Sequence, residues 1–148
     1  MAQTVTVSRH VRCPASETSA FVTDPHKFLC QLSTLSRCRF IESVDDGDDE
    51  GEVWDVYLDS GTVQLGGRVL VVPPDGSRLE WRSVRGTRHS FTALVGPEGE
   101  GSRLTLSLTY SVTGLGIAWI SEMIGRGFIN RSLEAIAEEV RHHLEFGK

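Results

Sequence analysis

Apolar residues recur at every second position through most of this chain and at helical spacing near its end, and that change of period divides it into elements. Thr4 to Arg12 reads TVTVSRHVR, with Val5, Val7 and Val11 near a two-residue period, the mark of a half-buried first strand. Pro14 stops it. Ala15 to Val22 suits a short helix, and Asp24-Pro25 offers an N-cap oxygen followed by a proline at the first helical position of a second. From Arg37 the chain turns to strand runs: Arg39 to Val44, Glu52 to Asp59, Thr62 to Val72, Arg78 to Arg85, Arg88 to Val95 and Arg103 to Thr113. Their connections, DDGDDEG, SG, PPDG, GT and GPEGEGS, are rich in residues that tolerate tight turns. Links this short predict an antiparallel meander.

Alternation assigns faces. In the last run Leu104, Leu106, Leu108, Tyr110 and Val112 share one side, and Thr105, Ser107, Thr109 and Ser111 the other, so one face is core and one is solvent. The same rule turns inward Trp54, Val56 and Leu58, then Val63, Leu65, Val69 and Val71, then Leu79 and Trp81, then His89, Phe91 and Ala93. Leu115 to Phe146 predicts a long C-terminal helix with two apolar stripes. Ile117, Ile120, Ile124 and Phe128 form one, and Ile129, Leu133, Ile136, Ala137, Val140 and Leu144 the other. The change of phase falls at Gly125-Arg126-Gly127, where two glycines each weaken the helix by roughly 1 kcal/mol, so a kink or loosening is expected. The second stripe should hold the sheet, with Glu134, Glu138, Glu139, Arg141 and Glu145 facing water. The first, with Trp119 and Met123, should cover a cavity mouth.

At 148 residues the chain suits one domain, 1–148, with an average apolar and charged content. No run approaches the ~20 apolar residues a membrane helix needs, and stable membrane insertion is not expected. The opening MAQTVTVSRHVRC has no apolar signal block, which places the protein in the cytoplasm as an expectation. A net charge of −5 argues against nucleic acid as a partner. Cys13, Cys30 and Cys38 have no CxxC spacing, so reduced thiols are expected rather than a disulfide framework or a zinc site.

Asp46-x-Asp48-x-Glu50-Gly51 imitates the start of a calcium loop, yet the position that needs a bidentate glutamate is Tyr57 and both flanks read as strand. A solvated acidic turn with no metal is the expectation. The histidines make no ligand cluster, no nucleophile or nucleotide motif appears, and no cofactor is expected. Polar residues on inward faces are more informative: Arg85 beyond Trp81 and Ser83, His89 before Phe91, and Tyr110 among leucines. They sit at strand ends, pair with one another, or orient a ligand inside an apolar pocket.

The order strand, two short helices, six antiparallel strands, long helix resembles the helix-grip fold of the START-like or SRPBCC superfamily. The likeness is carried by VRCPASETSAFVTDPHKF, GSRLEWRSV, EGEGSRLTLSLTY and FINRSLEAIAEEVRHHLE and spans essentially the whole chain. One departure is FLCQLSTLSRC, where many relatives carry a tryptophan, which implies a different pocket wall there. The resemblance implies an α+β fold, a curved seven-stranded antiparallel sheet wrapped around the C-terminal helix. It also implies a lipid, polyketide or isoprenoid-like ligand, for which we expect Trp54, Val56, Leu65, Val69, Trp81, Phe91, Leu106, Leu108, Ile117, Ile120, Ile124 and Phe128 as binding residues. A carrier or sensor is the leading expectation. The alternatives are a polyketide cyclase or dehydratase with His89, Tyr110 and Arg85 as catalytic candidates, and an interaction module using Trp119, Ile117 and Met123. A homodimer is left open.

Overall fold

The computed structural model describes residues 2–47, 49–59, 64–111 and 122–147. Strand β1 (Ala2–Val11) buries Val5, Val7 and Val11. It turns Thr4, Thr6 and Ser8 outward, where their hydroxyls meet those of Thr109, Ser107 and Thr105 at 2.9–3.1 Å. Pro14 precedes helix α1 (Ala15–Val22), whose buried Thr18 is tied to Ser102 by a 2.8 Å hydroxyl pair. Asp24 then caps α2 (Pro25–Phe28) by accepting from the His26 N–H at 3.0 Å, and a 3₁₀ turn, Leu29–Gln31, follows. Thus both helix starts are where the proline signals put them.

Strands β2 (Arg37–Asp46), β3 (Asp49–Asp59), β4 (Gln64–Val71), β5 (Arg78–Gly86), β6 (Arg88–Glu98) and β7 (Gly101–Ser111) run as an antiparallel meander. β1 adds to the far side of β7, giving the order β1-β7-β6-β5-β4-β3-β2 in one curled sheet. Two adjacent glycines let the backbones approach in β4: a Cβ on Gly66 would lie 2.1 Å from the Val56 carbonyl oxygen, and one on Gly67 2.1 Å from that of Arg85. Both have positive φ, so a side chain there is excluded twice over.

Helix α3 is described from Glu122 to Phe146 and packs against β1 and β7. Its buried stripe is Ile129, Leu133, Ile136, Ala137, Val140 and Leu144, the one expected to hold the sheet. Arg9 of β1 reaches Glu138 at 3.0 Å and Glu134 at 3.3 Å, and the Arg12 N–H donates to Glu145 at 2.8 Å. The helix continues without interruption through Gly125 and Gly127, so the phase change in the sequence is not a break in helical structure. Val63, Ile117, Trp119 and Ile120 lie outside the described residues, as do the side chains of Leu65, Met123 and Ile124. The expected mouth-covering segment is therefore described only as backbone from Glu122 onward.

Candidate functional site

Sheet and helix leave between them a cavity of about 50 Å³. Phe28 and the following loop residues Leu32 and Leu35 form one wall, and Ile129, Leu133 and Ile136 of α3 form the roof. The sheet supplies Val56 and Leu58 of β3, Gly66 of β4, Trp81 of β5, Phe91 of β6 and Leu108 of β7. Thr87, His89 and Tyr110 are the polar side chains on this lining, gathered where β4, β5, β6 and β7 meet. Trp81 and Phe91 stack with centroids 4.2 Å apart and 21° between planes, giving the cavity a flat aromatic side.

A chain of hydrogen bonds fixes the polar pole. The Trp81 indole N–H donates to His89 Nε2 at 3.1 Å, and His89 Nδ1 lies 2.7 Å from the Thr87 carbonyl oxygen. An N–H pointing at one ring nitrogen and a carbonyl at the other dictate the neutral tautomer with its proton on Nδ1. Burial pushes the imidazole pKa down, opposed by the Thr87 carbonyl, and so favours the same neutral form. The His89 backbone N–H donates to Ser83 Oγ at 3.0 Å. Thr87 in turn exchanges bonds with Gly66, its N–H donating to the Gly66 carbonyl at 2.9 Å and its Oγ1 accepting from the Gly66 N–H at 3.1 Å.

Of the residues expected at the site, Val56, Trp81, Phe91, Leu108, His89 and Tyr110 meet on this lining. Trp54, Val69 and Leu106 are buried in the core without reaching it, and Phe128 packs on the core's edge. Trp54 instead donates to Glu52 at 3.0 Å and packs against Phe40 and His26. Arg85 is a correction. Ser83 pairs with Val69 and Arg85 with Arg68, leaving Val84 as an extra residue, and this bulge turns Arg85 to the exposed outer face.

The loop wall is held differently. Glu139 of α3, expected to face water, accepts from the backbone N–H and hydroxyl of Ser33 and from the Thr34 N–H, each at 2.9 Å, and from the Thr34 hydroxyl. Partial burial works to raise this carboxyl's pKa, but the Ser33 and Thr34 bonds together outweigh it and hold the value below the ordinary carboxylate range. Leu32 and Leu35, on either side of the clamp, are thereby pressed into the cavity. Alternation does not reach this irregular stretch, so the resemblance puts a pocket wall in FLCQLSTLSRC without singling out its leucines. Nearby, burial and then Cys30 push the Cys38 thiol up to about 12, far from a reactive thiolate. Among the described residues no cluster of His, Cys, Asp or Glu is placed to hold a metal, and no helix is long and apolar enough to cross a membrane.

A curled seven-stranded antiparallel sheet gripping a C-terminal helix defines the START-like, SRPBCC class of fold. The chain belongs to the polyketide cyclase/dehydrase and lipid transport family, whose model matches residues 2–145. Among solved structures it is similar to a START superfamily protein from Mycobacterium smegmatis, with a TM-score of 0.76 and 13% identity over 98% of this chain and 99% of that one. The KanY protein gives 0.75 and 15% over 98% and 99%. The di-domain ARO/CYC StfQ from the steffimycin biosynthetic pathway gives 0.70 and 13% over 95% of this chain and 50% of its own. Identities this low establish the shared fold alone. A search of curated proteins by sequence returned no match.

Proposed function

We propose that residues 1–148 act as one binding domain that carries or senses a hydrophobic or aromatic small molecule between the sheet and α3. The observation that carries this reading is the lining: apolar side chains from the loop, the sheet and α3 converge on one space, with polar groups confined to one end. Each ligand CH₂ buried there contributes about 0.8 kcal/mol before ordering costs. At about 50 Å³ the cavity lies far below the roughly 300–1,000 Å³ of drug-sized pockets, so a ligand of several rings must widen it. The loop carrying Leu32 and Leu35 is the wall suited to give way, because its tie to α3 is a set of partly exposed bonds to one side chain.

A cyclase reading is favoured by the likeness to StfQ and by the family's description. Carriage fits the site better, since both nitrogens of His89 are engaged and Arg85 faces outward, which leaves no free base and no cation on the lining among the described residues. Native mass spectrometry of gently purified protein, with displacement of a hydrophobic fluorophore, is the test. Extractable apolar ligand or micromolar fluorophore binding is expected, and failure of both defeats the reading. Turnover of a model poly-β-ketone that Tyr110→Phe abolishes would transfer the case to the cyclase.

A further inference from the structure

We infer that the molecule taken by this cavity is electrically neutral and presents one hydrogen-bond acceptor, a ketone, aldehyde or ether oxygen, to the Thr87 hydroxyl. This rests on the binding reading above and adds the chemical class of the ligand.

Neutrality follows from what surrounds the space. Among the described residues none of the lining side chains is Asp, Glu, Lys or Arg. His89 is held uncharged by the indole N–H on its Nε2. Arg85, the cation the alternation pattern aimed inward, pairs in register with Arg68 on the outer face. A carboxylate or phosphate placed here loses its water and gains no counter-charge, the least favourable exchange a buried ion can make.

The acceptor follows from a hydrogen-bond inventory of the polar pole. The Trp81 N–H is spent on His89, and the His89 Nδ1–H on the Thr87 carbonyl. Thr87, only 8% exposed, uses its Oγ1 as an acceptor for the Gly66 N–H, which leaves the hydroxyl proton to give. No acceptor for that proton is present among the described residues. A buried donor seeks an acceptor, and water can hold the place until a ligand oxygen displaces it. The stacked Trp81 and Phe91 faces beside it suit a planar body attached to that oxygen.

Three probes of one shape separate these elements: 2-acetylnaphthalene, 2-ethylnaphthalene and 2-naphthoate, titrated into the intact chain at neutral pH by calorimetry. The ketone should bind about tenfold tighter than the hydrocarbon and about 100-fold tighter than the anion. Thr87→Val should remove the ketone's advantage over the hydrocarbon, and Thr87→Ser should restore it. Reading the ratio within each variant removes any loss of stability from the Gly66 bond. Naphthoate binding as tightly as the ketone overturns the inference even if Thr87→Val fails to fold, and so does a ketone preference that survives Thr87→Val. Binding of the hydrocarbon alone leaves the cavity reading standing and refutes the acceptor; no binding by any probe defeats both.

Discussion

The two ends of the cavity are built on different physical terms. At the polar pole, Trp81, His89, Thr87 and Gly66 are tied by neutral, part-buried hydrogen bonds within the sheet and its β5–β6 turn. At the loop wall, Ser33 and Thr34 hang from the charged carboxylate of Glu139, partly in solvent. Neutral bonds feel little salt and these move only with the sheet; bonds to one half-exposed carboxylate can be released locally. The cavity therefore has a fixed end and a releasable end, and ligand orientation belongs to the first while ligand passage belongs to the second.

Trp81→Ala should hurt most, because it empties the aromatic wall and strips His89 Nε2 of its donor. A loss of about 3–5 kcal/mol in urea unfolding is expected, and a loss below about 1 kcal/mol would show that the polar pole is not the rigid end. Glu139→Ala should cost less, about 1–3 kcal/mol, and act locally. Amide exchange at Ser33 and Thr34 should accelerate while that of Trp81 and Phe91 stays slow; uniform acceleration would erase the distinction between the two ends. Acid provides the gentlest probe. Glu139 has a depressed folded pKa, so its stabilisation is present above the ordinary carboxylate value and fades as pH falls through and below it. His89 is depressed as well, so its contribution is whole above the ordinary imidazole value and is lost only at lower pH. By NMR, His89 should be less protonated near pH 6.5 than an unperturbed histidine, which is half charged there. Half-protonation there would contradict the bonded tautomer.

Much of this was legible in residue order. β7 announces itself because every inward position from Leu104 to Leu108 is leucine while every outward one from Thr105 to Thr109 is Thr or Ser. The helix stripe from Ile129 to Leu144 reads equally well, since one period serves one buried face. Arg85 escaped because a bulge adds a residue without altering the polar pattern around it, so alternation counted past Val84 carries the wrong face. Leu32 and Leu35 show no period, so only the resemblance marked their stretch as a pocket wall, and Glu139 escaped because a glutamate that grips a loop looks like one that meets water until the loop is placed beside it. The family resemblance supplied the fold and left open which polar groups face the cavity.

β2, the last strand of the sheet, has one side with no neighbouring strand among the described residues. Its ladder with β3 slips between Phe40 and Glu42, and Arg37, Arg39, Glu42 and Asp45 stand exposed along it. A kinked row of mixed charges is a poor template for a further strand. The chain thus carries its own guard against growing edge to edge into aggregates, and that guard sits on the side of the sheet farthest from β1.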